Sequence, residues 1–363
     1  MDNLFNEFEI AEKESWLAKI EADAKGKSTA AFDWKINDTL SQSPFSHKSD
    51  RTDHNSSIQR SGSSNHWKVG EQITVLDFDQ SNKQIIAALE NGVNALYIKL
   101  NTGISRSDFD LLFKDVNFTF IQTYFVIEDE IIAKAIVENL IRFCKENGLE
   151  LALVDGGIYQ TTQACFNSPR LYLDYKNQLP NFSFATVAMD DLFGYTETVV
   201  HEVSSVGVGL IELLESPVEY DNILVTLNIG KSYLLNIAKV RAAHILINNV
   251  LLAYKSEAKI LTNAKLAYQS ISENENQNLI QFTSQAMSAV IGGVDSLVLP
   301  ASDTILASEE SDFRKRLSRN VQSIMQMESF MGMVIDPAAG SYYIEKLTDQ
   351  IAEQSWSYIQ KNS

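Results

Sequence analysis

From Trp67 onward, short apolar runs alternate with longer segments whose apolar residues recur every three or four positions. That alternation constrains the fold more than any other feature, because strands separated by helices pair in parallel within one sheet. The strand candidates are Ala95 to Leu100, Phe118 to Phe125, Leu151 to Val154, Phe182 to Ala188, Ile223 to Leu227, Ile260 to Leu261 with neighbours, Ser296 to Leu299, and a short last one near Val334. Helical periodicity marks Asn82 to Asn91, Glu130 to Asn147, Thr196 to Leu214, Tyr233 to Tyr254 and Leu279 to Ile291 between them. Eight strands with intervening helices predict an α/β fold of the (β/α)8 TIM-barrel type, in which loops at the carboxyl ends of the strands carry any chemistry.

Ahead of this region the chain divides in two. Leu4, Phe5, Phe8, Trp16, Leu17 and Ile20 recur at helical spacing among carboxylates, predicting an amphipathic N-terminal helical arm within residues 1–40. Residues 41–66 are rich in Ser, Asn, His and Asp and read as an exposed polar linker, so the barrel domain is expected over 67–363. At 363 residues and 45 % hydrophobic, the chain is large enough for a full barrel core.

A formal net charge of −17 argues against nucleic-acid and anionic-membrane partners, and any phosphate-bearing ligand would need a local basic patch. No apolar run approaches the ~20 residues of a membrane-crossing helix. Cys144 and Cys165 form no C-x-x-C pair, and the acidic start resembles neither a signal nor a transit peptide, so a cytoplasmic, reduced protein is expected. No Walker loop or G-x-G-x-x-G follows a strand; Gly207 and Gly209 read as a helix end. His47, His54, His66, His201 and His244 show no metal-ligand spacing, and no protein-held metal is expected.

The most specific wording lies near the C-terminus. Asp336-Pro337 followed by Ala339-Gly340-Ser341 marks a tight turn, with Ser341 placed as an N-cap and Glu345, Leu347 and Ile351 opening an amphipathic helix. Upstream stand Ser318-Arg319-Asn320-Val321-Gln322 and then Glu328-Ser329. The combined pattern, RN-x-Q, ES, then DP-x-x-GSYY with Tyr342 and Tyr343, resembles the end of the barrel domain of methylmalonyl-CoA mutases and related adenosylcobalamin-dependent acyl-CoA mutases. Asn236 to Ala243, with Lys239 and Arg241, resembles that family's E-I-A-K-L-R-A-A helix, and Ala289 to Gly293 its A-V-L-G-G turn with Gly292 and Gly293. The resemblance covers roughly Trp67 to Ile359. Lys239 and Arg241 are read as a solvated or interface ion pair in preference to a phosphate site.

Where the family holds its substrate, the resemblance implies losses. The tyrosine- and arginine-rich segment before its tryptophan is Ser61-Gly62-Ser63-Ser64-Asn65-His66 ahead of Trp67. Asp190 and Asp191 stand where G-Y-H-M-Q-E-A-G has tyrosine and histidine, and ionised carboxylates accept hydrogen bonds without donating them. Val298 and Pro300 replace a histidine and an amide in Q-S-L-H-T-N, and Gln281 replaces the arginine of N-N-x-x-R. His244 occupies a second-arginine position.

The family's cobalamin domain is flavodoxin-like, with a D-x-H-x-x-G loop; that motif is absent from this sequence, and no such domain is expected in this chain. The resemblance therefore implies a non-catalytic small subunit, with no catalytic, cofactor-binding or metal residues of its own. Its partner would be a large catalytic mutase subunit that holds adenosylcobalamin and interconverts methylmalonyl-CoA and succinyl-CoA. Two alternatives are the substrate-binding half of a split mutase and a repurposed barrel serving as a binding module. Phe120, Tyr124 and Phe184 are bulky enough to fill the barrel interior if they point inward.

Overall fold

The computed structural model describes residues 12–50, 64–127, 130–160, 165–189, 198–303 and 311–362. Parallel strands β3 (Lys68–Thr74), β4 (Ala95–Lys99), β5 (Gln122–Ile127) and β6 (Asp155–Gln160) pair in chain order, and β10 (Asn222–Ile229), β11 (Lys259–Leu266) and β12 (Ser296–Val298) do likewise. β12 then pairs with β3, Leu297 opposite Val69. The remaining gap is spanned by one broken strand: β8 (Phe182–Ser183) pairs with β6, and after Phe184 the chain continues as β9 (Ala185–Ala188), which pairs with β10. The result is an eight-staved parallel barrel whose fifth stave is split, with β7 (Cys165–Asn167) added antiparallel to β9.

Helices follow the strands as α2 (Phe78–Glu90), α3 (Arg106–Leu112), α4 (Glu130–Glu146), α5 (Pro169–Tyr175), α6 (Val199–Leu214), α7 (Tyr233–Tyr254), α8 (Glu275–Gly292) and α9 (Asp312–Met327). Their starts are chemically marked: Asp77, Ser105, Asn274 and Ser311 each accept a first-turn backbone N–H. α8 ends on Gly293 at φ 99°, a left-handed position that glycine occupies without a Cβ penalty. A further helix, α10 (Tyr342–Asn362), packs against α6 and α7 through Leu347, Ile351 and Ile359.

Several expectations need correction. The first stave, β3, escaped notice because its pattern is mixed: Val69 and Ile73 face the helices, while Glu71, on the same face, is buried against Arg319. Val334 lies in the turn after α9, exposed, and forms no strand. Residues 151–153 are a 3-10 turn leading into β6, and 118–121 a turn leading into β5, with Asn117 accepting from the backbone and hydroxyl of Thr119. Gly207 and Gly209 sit inside α6, where a Cβ would come 2.5 Å from Ile359 and 2.8 Å from Val187; close packing, not a helix end, places them.

The described part of the N-terminal arm starts at residue 12; Leu4, Phe5 and Phe8 lie outside the described residues. α1 (Lys13–Asp23) has no fully buried residue, and its Trp16 meets Phe45 edge-on at 5.9 Å. A hairpin of β1 (Trp34–Lys35) and β2 (Ser41–Gln42) crosses the expected arm–linker boundary and buries Ile36, Leu40 and Gln42. Thr39 at its tip exchanges hydrogen bonds of 3.0 Å with Gln354 of α10, so this stretch folds back on its own barrel.

Candidate functional site: a filled barrel axis and its mouth

Strand alternation decides which side chains face the axis. Ala95, Tyr97, Tyr124, Val126, Tyr159, Leu224, Leu261 and Val298 form a second buried cluster, separate from the large one between barrel and helices. Tyr97 and Tyr124, side by side on β4 and β5, stack with centroids 4.7 Å apart and planes 23° apart. The Tyr97 hydroxyl bonds Ser296 at 2.8 Å, and Ser296 in turn donates to Asn263 at 3.1 Å. Burial pushes both phenols up from their ordinary value, so neither ionises near neutral pH. Of the three residues suggested as filling, Tyr124 does face the axis. Phe184 packs outward with Tyr172 and Phe182, and Phe120 is 78 % exposed.

Above this plug, the carboxyl ends of β3, β4, β11 and β12, flanked by α2 and α9, frame an open groove of about 1510 Å³. Gln72, Lys99, Lys265, Val298, Pro300 and Arg316 line it. Lys99 continues the inward series Ala95, Tyr97; Lys265 continues Leu261, Asn263 and lies 6.0 Å over the Tyr159 ring. Sequence reasoning missed both lysines. The signal was present as a two-residue period running past the apolar part of each strand.

Of the former-site positions, Val298 and Pro300 line the groove, Val298 as part of the plug. Gln281 does not; its amide donates to the Ser270 carbonyl at 2.5 Å, beside Gln285, which donates to Ile229 and Gly230. Asp190 and Asp191 lie outside the described residues, as do Ser61, Gly62, Ser63 and His54. Among the described residues no histidine lines the groove: His47 bonds Ser49, His66 is beside Gly332, His201 meets Tyr358 and His244 bonds the Gly293 carbonyl. Among the described residues no group of three or more His, Cys, Asp or Glu could hold a metal. With no imidazole among the described residues at the mouth, the residues described there do not fit a cobalt ligand set.

The motif residues serve the scaffold. Lys239 and Glu202 join α7 to α6 by a 2.6 Å ion pair with side chains 4 % and 2 % exposed. Arg241 pairs with Asp336, which holds φ 50° in the Asp-Pro turn, and burial lowers the guanidinium from its ordinary value against the nearby charges of Glu345 and Asp349. Gly340 donates to Glu345 at 2.8 Å, closing the turn onto α10, whose first residues are Tyr342 and Tyr343. On α9, Arg319 reaches Glu71 at 3.1 Å, and Gln322 accepts the Trp67 indole N–H at 3.2 Å; Asn320 faces solvent. Gly292 lets α8 touch α7, since a Cβ there would come 2.6 Å from that of Val240.

Residues 220–362 match the family described as methylmalonyl-CoA mutase. A methylmalonyl-CoA mutase small subunit of Porphyromonas gingivalis is 28 % identical over 397 aligned positions, covering 98 % of this chain and 63 % of that protein. Residues 220–362 are thus similar to the methylmalonyl-CoA mutase family. Similarity to other members is shorter: the methylmalonyl-CoA mutase of Rhizobium meliloti is 36 % identical over 37 % of this chain and 19 % of its own length. The large subunit of P. gingivalis is 31 % identical with the same two shares. The chain thus spans less than two thirds of each of these relatives, and only the small subunit is matched along nearly the whole of this chain. No helix among the described residues is long and apolar enough to cross a membrane.

Proposed function

We propose that this chain is a non-catalytic small subunit that stabilises a large methylmalonyl-CoA mutase subunit, the latter holding adenosylcobalamin and interconverting methylmalonyl-CoA and succinyl-CoA in the cytoplasm. The observation that carries this reading is the plugged axis. An acyl chain threading the barrel would have to displace the Tyr97–Tyr124 stack, Tyr159 and Val298, packed side chains whose burial is worth ~1.5–3 kcal/mol each. The family's recurrent residues support it from another side, because Arg241, Asp336, Lys239, Arg319 and Gln322 are engaged with Asp336, Arg241, Glu202, Glu71 and Trp67. A P. gingivalis protein named as a large subunit exists beside the one named as a small subunit, which supports a two-chain assembly.

The test mixes this chain with the large subunit from the same organism and resolves the products by size exclusion with light scattering, assaying mutase turnover in each. A one-to-one complex whose activity resides in the large chain is expected. Turnover of acyl-CoA by this chain with a separate cobalamin domain would establish the split-mutase reading, and failure to form any complex would favour a repurposed barrel.

A further inference from the structure

A second surface lies at the opposite end of the barrel from the groove. α9 runs antiparallel to β12, so its C-terminus reaches the amino ends of the strands. There Asn65 donates to the Gly332 carbonyl at 2.7 Å, and Gln326 donates to the carbonyl of Trp67 just before β3. α9 buries Ser318, Arg319, Gln322 and Met325 and turns Ile324 and Met327 outward. Ile324, Met327, Phe330, Met333 and Val334 are 55, 72, 60, 64 and 58 % exposed, a run of large apolar side chains on a water-facing surface.

Two features set this run apart from casual surface apolarity. Four of the chain's seven methionines fall within 325–333, and two of them, Met327 and Met333, are exposed, the adaptable residue type favoured at protein-binding surfaces. Phe330, which follows the helix end, holds φ 51°, a left-handed conformation normally given to glycine or asparagine at that position. A bulky side chain there strains the backbone while presenting a phenyl ring to solvent. The left-handed turn lets the Met331 N–H close on the Met325 carbonyl at 3.0 Å, a bond that the backbone alone supplies, so the exposed phenyl ring is not needed for it.

The surroundings point to the occupant. Residues 320–335 contain one charged side chain, Glu328, in a chain that is 21 % charged with a net charge of −17, so this is where another protein approaches with least electrostatic cost. The segment also lies wholly inside 220–362, the part shared with the family at large. A surface built from a shared segment can meet its counterpart on a related chain about a pseudo-two-fold axis, the commonest way for such subunits to associate.

We propose that Ile324, Met327, Phe330, Met333 and Val334 form the contact with the large mutase subunit, Phe330 being its anchor; this rests on the function proposed above. Phe330→Gly separates binding from folding. Glycine relieves the left-handed strain, so the thermal midpoint of the variant stays level or rises, while affinity for the large subunit of the same organism, measured by titration calorimetry, falls about tenfold or more. Met327→Lys/Met333→Lys, made on the full chain, weakens binding in the same sense. Wild-type affinity in both variants would overturn the surface assignment and leave the subunit role standing. Absence of any wild-type complex would overturn both, and a homodimer of this chain abolished by Phe330→Gly would reassign the surface to a second copy.

Discussion

Arg241 and Asp336, separated by 95 residues in sequence, form an ion pair whose side chains are 1 % and 7 % exposed. It ties the middle of α7 to the turn that launches α10. The two motifs that most strongly resemble the mutase family are therefore the two halves of a single clasp.

Removing one partner strands the other charge in a buried setting. Arg241→Met is expected to lower the unfolding free energy by ~3–5 kcal/mol, and Arg241→Met/Asp336→Asn to cost less than the sum of the single changes. Urea unfolding of the four proteins checks this; strict additivity would show that the clasp has no coupling.

The axial stack makes an alkaline titration informative. Tyr97 and Tyr124 are held neutral by burial, with folded-state values above the unfolded one, so their contribution to stability is complete below the ordinary phenol range and is lost as pH rises through their raised values. Ultraviolet titration should show Tyr97 and Tyr124 ionising after the rest of the chain's thirteen tyrosines, later even than Tyr172, whose phenol is pushed up to about 12, and Tyr97→Phe/Tyr124→Phe should remove two from the delayed fraction. Normal ionisation of all thirteen would mean that water reaches the axis.

Cys144 offers an independent probe of the outer core. Burial pushes its thiol up to about 12 from an ordinary value of 9.0, favouring the folded state below pH 9 and withdrawing that contribution as pH climbs toward 12. In a Cys165→Ser background, Cys144 should resist disulfide-exchange reagents at pH 8 until denaturant is added; prompt labelling would contradict its burial.

Gly292→Ala inserts a Cβ 2.6 Å from that of Val240 at the α7–α8 crossing. The helices must separate, and a loss of ~1–3 kcal/mol is expected in denaturant unfolding. An unchanged midpoint would show that the crossing is looser than its geometry.

The barrel was legible because six of its staves carry apolar runs between periodic helices, a further run at 151–154 ends just ahead of β6, and α7 appears with both ends as periodicity placed them, Tyr233 and Tyr254. β3 was not, because Lys68, Glu71 and Gln72 interrupt its apolar pattern, and only the later ion pair with Arg319 explains a carboxylate on its helix-facing side. Inward and outward faces could not be assigned before register was known, which is why Phe184 and Tyr124 looked equivalent although one faces helices and the other the axis. Lys99 stands one alternation beyond the apolar pair Ala95 and Tyr97, Lys265 one beyond Leu261 and Asn263, and neither resembles a catalytic motif in one dimension. Lys239 and Arg241 make ion pairs buried within the chain and not the solvated or interface pair expected, because their partners Glu202 and Asp336 are set by tertiary contacts.

Acyl-CoA stoichiometry in the assembled complex tests the central claim most directly. Equilibrium dialysis of the purified two-chain assembly against succinyl-CoA should give one molecule bound per complex, held by the large subunit, with none bound by this chain alone. Two molecules per complex, or saturable one-to-one binding to the isolated chain, would show that its barrel axis opens to substrate and would contradict the account.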